Sequence, residues 1–228
     1  MPNYCDNGLL VKGSPNEIHR FYRFAQGFGC FWGGEEQKTD INYHKFFDFS
    51  QFIKPTEEEL KKGYSEYGYD WCCDNWGTKW NSFDLDYHYE EGDDEIAYSF
   101  NTAWSPMSTK LLNRMEELFP SLKFEYTFIE SGCEFYGKWD DETKDRVIFD
   151  FPEWSTIEEL LPRVKKLADF CPLLETYEGD EESRDEDILC ELHGEIEQMF
   201  HDMDYNDIEE IDAESLFKYI EGKFGYAS

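Results

Sequence analysis

Positive charge is scarce in this chain. Against 52 acidic residues its 228 positions hold only 21 lysines and arginines, a formal net charge of −31 at pH 7, far beyond the magnitude of about 2 to 8 that suits a small soluble domain. A surface so poor in cations repels nucleic-acid backbones and anionic membranes, so direct binding to either is not expected. Long apolar runs are missing too. No stretch approaches the roughly 20 residues of a membrane span, and Met1-Pro2-Asn3-Tyr4-Cys5-Asp6-Asn7 has no apolar run of signal-peptide length, so the expected location is the cytoplasm. There is no Cys-x-x-Cys pair, and seven cysteines, an odd number, fit reduced thiols better than a disulfide framework. Gly-x-Ser-x-Gly and His-Glu-x-x-His are also absent.

Aromatic side chains are plentiful at 18%. Acidic disordered chains are poor in such residues, so a folded acidic protein is expected. Helix starts are legible. Ser14-Pro15-Asn16-Glu17 combines an N-cap serine, a proline at the first helical position and a glutamate three residues after the cap, which predicts a helix over 14–26 with Ile18, Phe21, Tyr22 and Ala25 on its apolar face. Thr56-Glu57-Glu58-Glu59 repeats the capping box, Ser105-Pro106 opens a segment with helical spacing up to Pro120, and Ser155-Thr156-Ile157-Glu158 opens another.

Strands lie between these helices. Phe83, Leu85, Tyr87 and Tyr89 alternate with polar residues, Glu91-Gly92-Asp93-Asp94 turns, and Ile96, Tyr98 and Phe100 alternate back, which reads as an antiparallel hairpin. Trp76, Thr78 and Trp80 alternate in the opposite phase, so a strand over them requires a bulge near Asn81-Ser82, and Cys72 and Cys73 would then face opposite sides. Leu122 to Phe128 and Cys133 to Trp139 form a second hairpin around Glu130-Ser131-Gly132. With a short strand over Leu9 to Lys12, these elements suit an α+β fold: a ferredoxin-like antiparallel sheet with helices on one face, occupying residues 1–150. A Phe-rich insertion at 28–70 plugs the core edge, and residues 151–228 form an acidic helical C-terminal region.

Four motifs carry a family likeness: Met1 to Asn7; Trp76-Gly77-Thr78-Lys79-Trp80; Phe100-Asn101-Thr102-Ala103-Trp104-Ser105-Pro106; and Phe119-Pro120 leading to Glu130-Ser131-Gly132-Cys133-Glu134-Phe135-Tyr136-Gly137. In this order they resemble the YubB ferredoxin-like family of phages and plasmids over roughly residues 1–140. The family usually has Trp where Tyr4 stands, and Pro where Met107 and Ser131 stand. The resemblance implies a mobile-element accessory protein and no activity. "Ferredoxin-like" describes topology, because the cysteine spacing offers no iron–sulfur ligand set.

Other signatures fail on their details. Gly132 to Lys138 matches a phosphate-binding loop until Trp139 replaces the Ser or Thr that would hold magnesium, and it lies in an expected strand. His88-Tyr89-Glu90 and His193-Gly194-Glu195 lack the Pro-Cys-x-x-Cys of zinc deaminases. Asp202 to Asn206 begins like a calcium loop but has Asp207 where glycine is needed and Ala213 where glutamate belongs. Cys190, His193 and His201 share a helical spacing without a second nearby cysteine. No cofactor or metal site is therefore expected. Trp76, Thr78 and Trp80, near Trp71, have the composition of a base-stacking platform but lack its basic surround, which favours packing.

The acidic residues are localised. From Glu175 to Glu214 there are 18 acidic residues and one basic, Arg184, while Ile188, Leu189, Leu192, Ile196, Met199, Phe200 and Met203 keep a helical apolar stripe. One reading is a solvated face that maintains solubility. The sharper one is a rigid carboxylate array that imitates the phosphates of a nucleic acid, one charge per about 1.7 Å of duplex. On that reading Glu181, Glu182, Asp185, Glu186, Asp187, Glu191, Glu195, Glu197, Asp202, Asp204, Glu209 and Glu210 contact the partner, a host protein with a basic surface such as a nuclease or defence complex. The protein would then be a non-catalytic inhibitor. The alternative is a metal-binding or enzymatic module built on the aromatic sheet around Trp76 to Trp80 and Trp104.

Overall fold

A computed structural model of the chain describes residues 3–33, 44–165, 181–203 and 208–224, without the side chains of residues 154, 181–184, 201, 202 and 224. The chain divides into two compact units, Met1–Ile148 and Phe149–Ser228.

The first unit is built on an antiparallel sheet. Strand β1 (Tyr4–Lys12) runs between β3 (Glu95–Ala103) and β4 (Lys123–Glu130), with β2 (Phe83–His88) outside β3. The order β2-β3-β1-β4, with helix α1 (Pro15–Ala25) after β1 and helix α4 (Thr109–Leu118) after β3, is the ferredoxin-like arrangement expected from the sequence. Two further strands, β5 (Phe135–Asp140) and β6 (Asp145–Asp150), extend the sheet beyond β4 to six. The fold is α+β.

Period-two alternation selects the core face. Cys5, Asn7, Leu9 and Val11 of β1, Ile96, Tyr98 and Phe100 of β3, and Phe124, Tyr126 and Phe128 of β4 are buried together with Ile18, Phe21 and Ala25 of α1 and Leu111, Leu112 and Met115 of α4. Phe21 sits at the centre, 5.1 Å from Phe119 and 5.7 Å from Phe124 between ring centroids, both edge-on. Phe47, Phe49 and Phe52, from the expected insertion, complete this core.

Several local expectations need correction. Trp76 does not lie on a strand: helix α3 (Tyr69–Trp76) carries Trp71, Cys72, Cys73 and Trp76, and Gly77 at φ 85° caps it. The buried face of α3 (Trp71, Cys72, Trp76) follows helical spacing, and the Trp-x-Thr-x-Trp alternation is a coincidence across the helix end. The sheet irregularity falls between Phe83 and Asp86, with Asp84 at φ 46°, and not at Asn81-Ser82. Helix α4 is capped by Ser108, whose side chain accepts from the amide of Leu111, and not by Ser105. Ser14 makes no side-chain cap, although its carbonyl accepts from Glu17 and Ile18. The Thr56 capping box is complete at helix α2 (Glu57–Lys61). In the second unit, helix α5 (Trp154–Val164) has Glu153 at its N-cap position, without a side-chain cap, two residues ahead of the box expected at Ser155.

The second unit also contains helices α6 (Glu181–Asp202) and α7 (Ala213–Phe224). Ile157, Leu160 and Val164 of α5, Ile188, Leu189, Leu192, Ile196, Met199 and Phe200 of α6, and Leu216, Phe217 and Ile220 of α7 are buried, so the stripe read on α6 is a packing face. Phe151 stacks on Phe200 with centroids 4.8 Å apart.

Candidate functional site

The acidic residues proposed as a docking surface divide into three groups. Glu186, Asp187 and Glu191 on α6, and Glu209 and Glu210 ahead of α7, are exposed. Asp185, Glu195 and Glu197 are half-buried and have partners in the same unit: Asp185 pairs with Lys165, Glu195 with Lys223, and Glu197 lies 3.7 Å from the ring of His193. Asp204 lies outside the described residues, as do the side chains of Glu181, Glu182 and Asp202. The exposed stripe of α6 thus runs through Asp187, Cys190, Glu191, Gly194 and Gln198, with acidic charge concentrated at its N-terminal half.

The unit nevertheless turns a large excess of negative charge to solvent, with Lys218 an exposed cation among the described residues. Phe149–Ser228 holds 24 acidic residues against 6 basic. Arg163 is bound at 2.9 Å by Glu214 and lies over the ring of Phe217, and Lys165 and Lys223 are the partners just named. The pair with Glu214 raises the Arg163 pKa further and holds the Glu214 carboxyl below its usual range. Glu158 and Glu159 of α5 add to the exposed carboxylates.

In the first unit, the segment around Trp76–Trp80 borders a cleft of about 470 Å³, within the size range of small-molecule sites. Its walls come from four stretches of chain. Phe28 to Trp32 supply one side, His44 and Lys45 the next, Tyr64, Cys72 and Trp76 the floor beside α3, and Lys79 to Asn81 the rim. Asp48 ties them together. Fully buried, it accepts hydrogen bonds from the amides of Gly29 (2.8 Å) and Ser50 (2.9 Å), the Ser50 hydroxyl (2.7 Å), and the side-chain amides of Gln51 (3.1 Å) and Asn81 (2.7 Å). That saturation lets a carboxylate exist inside the protein. Lys45 donates to the carbonyl of Ser82 at 2.6 Å, and burial lowers its pKa while the charge of Asp48 opposes the fall.

The thiols here are not activated. Burial pushes Cys30 up to about 11 and Cys72 up to about 12, so both are neutral near pH 7 and neither is a ready nucleophile or metal ligand. Among the described residues no group of three or more His, Cys, Asp or Glu is placed to hold a metal ion. The stretch with partial phosphate-loop spelling, Gly132 to Trp139, is a hairpin turn running into β5 and has no helix N-terminus to meet a phosphate. Periodicity could not reveal the cleft, because its residues are scattered between positions 28 and 81. The paired tryptophans of Trp76-Gly77-Thr78-Lys79-Trp80 are its one sequence signal.

With this geometry in view, comparison with known proteins is specific on the fold. Residues 75–167 match the family model described as the ferredoxin-like domain in Api92-like protein. The ferredoxin-like character expected from the motifs is therefore supported; the YubB name and a phage or plasmid origin are not part of this match, which also begins later and ends later than the expected 1–140. Among solved structures, a protein api92 from Yersinia pseudotuberculosis is similar at 10% sequence identity and a TM-score of 0.49, over 67% of this chain and 99% of that one. No curated protein matches the chain. No helix among the described residues is long and apolar enough to cross a membrane.

Proposed function

We propose that this protein is a non-catalytic accessory protein of a phage or plasmid that acts in the host cytoplasm by occupying a basic, nucleic-acid-binding surface of a host protein, such as a nuclease or defence complex. The observation that carries this reading is the charge organisation of Phe149–Ser228. Arg163, Lys165 and Lys223 are held by Glu214, Asp185 and Glu195, while Glu158, Glu159, Glu186, Asp187, Glu191, Glu209 and Glu210 remain exposed. A rigid helical scaffold bearing carboxylates of one sign attracts a basic groove over long range, and association is then fast and salt-sensitive. The half-buried Asp185, Glu195 and Glu197 support the scaffold, so the docking face centres on Glu186, Asp187 and Glu191.

The test is competition. Proteins captured from bacterial lysate at low salt and released at high salt are identified by mass spectrometry, and each captured nucleic-acid-binding protein is assayed for loss of its DNA or RNA when this protein is added. Displacement by the native chain, weakened at least tenfold by the triple substitution Glu186→Gln, Asp187→Asn, Glu191→Gln, supports docking through this face. Capture of abundant basic proteins alone, with no displacement, sinks the reading.

A further inference from the structure

The cleft beside α3 is an island in the charge pattern. Of the 228 residues 52 are acidic, yet none of the thirteen described residues lining the cleft is Asp or Glu, and two are lysines. A smaller pocket shares Lys79 with it, is lined also by Tyr69, Thr78 and Trp104, and again has no carboxylate among its described lining residues. In so acidic a protein, such a gap is where an anion meets least repulsion.

Three observations give the island the character of a binding site. The ammonium of Lys79 lies 4.5 Å from the ring centroid of Trp80 and 5.5 Å from that of Trp104 and has no carboxylate within ion-pair distance among the described residues, so its charge is held in place by two indoles and left unneutralised. Lys45, by contrast, is turned to the carbonyl of Ser82, to which it donates at 2.6 Å. Second, His44 stands at the cleft wall, and its buried Nδ1 makes no hydrogen bond among the described residues, an unmet polar group beside the cleft. Third, the two indoles stay open, Trp80 at 41% exposure and Trp104 at 44%, and Trp104 holds a left-handed backbone at φ 73° that a bulky side chain rarely adopts. Strain of this kind persists where the surroundings impose it and concentrates at binding sites.

We propose that the cleft binds a small planar molecule carrying a carboxylate or phosphate, its ring system stacked against Trp80 and its acidic group on Lys79. The volume admits one nucleotide-sized molecule, whereas a polyanion long enough to leave the cleft would meet the carboxylates outside it. This site is independent of the acidic helical unit.

Isothermal titration calorimetry on the full chain tests the proposal with four probes. Adenosine 5′-monophosphate and 1-naphthoate are planar anions of the phosphate and carboxylate kinds; adenosine is planar without the charge, and inorganic phosphate is charged without the plane. At least one planar anion is expected to bind more tightly than about 1 mM, and about tenfold more tightly than either control, which also tells which acidic group is preferred. Lys79→Met and Trp80→Ala, both at partly exposed positions where folding is readily checked by circular dichroism, should each weaken that binding by about tenfold. The Glu186→Gln, Asp187→Asn, Glu191→Gln variant should bind the probe as the native chain does. Failure of both planar anions to bind, equal binding of adenosine, or full affinity in Lys79→Met overturns the proposal without touching the docking role of the acidic unit.

Discussion

Tyr126 and Asn7, 119 residues apart in sequence, meet in the core, where the phenol hydroxyl donates to Oδ1 of Asn7 at 2.5 Å. The pair is the centre of a closed network. Nδ2 of Asn7 donates to the carbonyls of Cys5 (2.7 Å) and Phe100 (3.2 Å) and to the Thr102 hydroxyl (3.0 Å), and the Met107 amide donates to the Tyr126 oxygen at 2.8 Å. Beside it, the Thr78 hydroxyl both accepts from the amide of Ala103 and donates to its carbonyl, each at 3.0 Å. The network binds β1, β4 and the end of β3, and it draws on three of the four motifs that carried the family likeness. Those motifs therefore contribute Cys5, Asn7, Thr78, Phe100, Thr102 and Ala103 to a buried polar joint.

Tyr126→Phe keeps the ring and removes the joint. It leaves Oδ1 of Asn7 and the Met107 amide without their partner in a fully buried site, at a cost of about 1–3 kcal/mol for each group left unsatisfied. Urea unfolding read by fluorescence should show the loss in the midpoint with an unchanged slope. A change under about 0.5 kcal/mol would mean that water or a shifted Asn7 replaces the phenol.

How much of this was legible in sequence depended on whether the signal was local. The α1 pattern and both hairpins announce themselves by period and turn residues, whereas the pairing of β1 with β3 and β4 joins strands far apart in the chain. Trp76 was misplaced because three alternating residues imitate a strand across a helix end, and only the φ 85° glycine marks the stop. The cap of α4 falls at Ser108 and not at Ser105 because Met107, completely buried, draws the chain inward and delays the helix by three residues. Strand β6 went unread because Arg146-Val147-Ile148-Phe149 is too short a run to stand out. The cleft and the ion pairs of Asp185 and Glu195 are tertiary facts, joining residues that no window holds together.

Gly77 offers a test of that helix stop. A Cβ there would lie 2.6 Å from the amide nitrogen of Ser108 and 2.8 Å from the carbonyl oxygen of Pro106, on top of the left-handed backbone. Gly63 has nearly the same φ, 84°, with nothing within 4 Å. Gly63→Ala should cost only the conformational penalty of about 1–2 kcal/mol, and Gly77→Ala clearly more, because backbone atoms cannot move aside. Equal losses in paired thermal melts would show that the α3 to α4 junction yields.

Stability should fall in acid through Glu125. Burial opposes its ionisation, but Lys123 at 2.8 Å and Lys12 at 2.9 Å outweigh that and hold the carboxyl below its usual range. A folded-state pKa below the unfolded value, about 4.3 for glutamate, stabilises the protein fully above that value, and the contribution disappears as pH drops through the folded pKa. Glu125→Gln should therefore lower stability at pH 7 and narrow the gap to the native protein below about pH 4. A gap that stays constant from pH 7 to about pH 3 would assign the loss to packing and not to charge.

Salt should act on the chain in the direction opposite to its ion pairs. The pairs Arg163–Glu214, Lys165–Asp185 and Lys223–Glu195 are all partly exposed, and such pairs contribute about 0–1 kcal/mol each, less as salt screens them. Against them stand 24 acidic residues in the 80 positions of Phe149–Ser228, with like charges such as Asp187 and Glu191 one helical turn apart. The repulsive pairs far outnumber the attractive ones, and screening over about 10 Å at 0.1 M removes both kinds. Raising sodium chloride from about 20 to about 300 mM should therefore raise the thermal midpoint of helix loss followed by circular dichroism, and Glu186→Gln, Asp187→Asn, Glu191→Gln should show a higher midpoint at low salt and a smaller response. A midpoint that falls with salt would mean that the three pairs dominate. The triple variant would then be the less stable protein, and its weakened docking would have to be separated from partial unfolding before the acidic face could be credited with it.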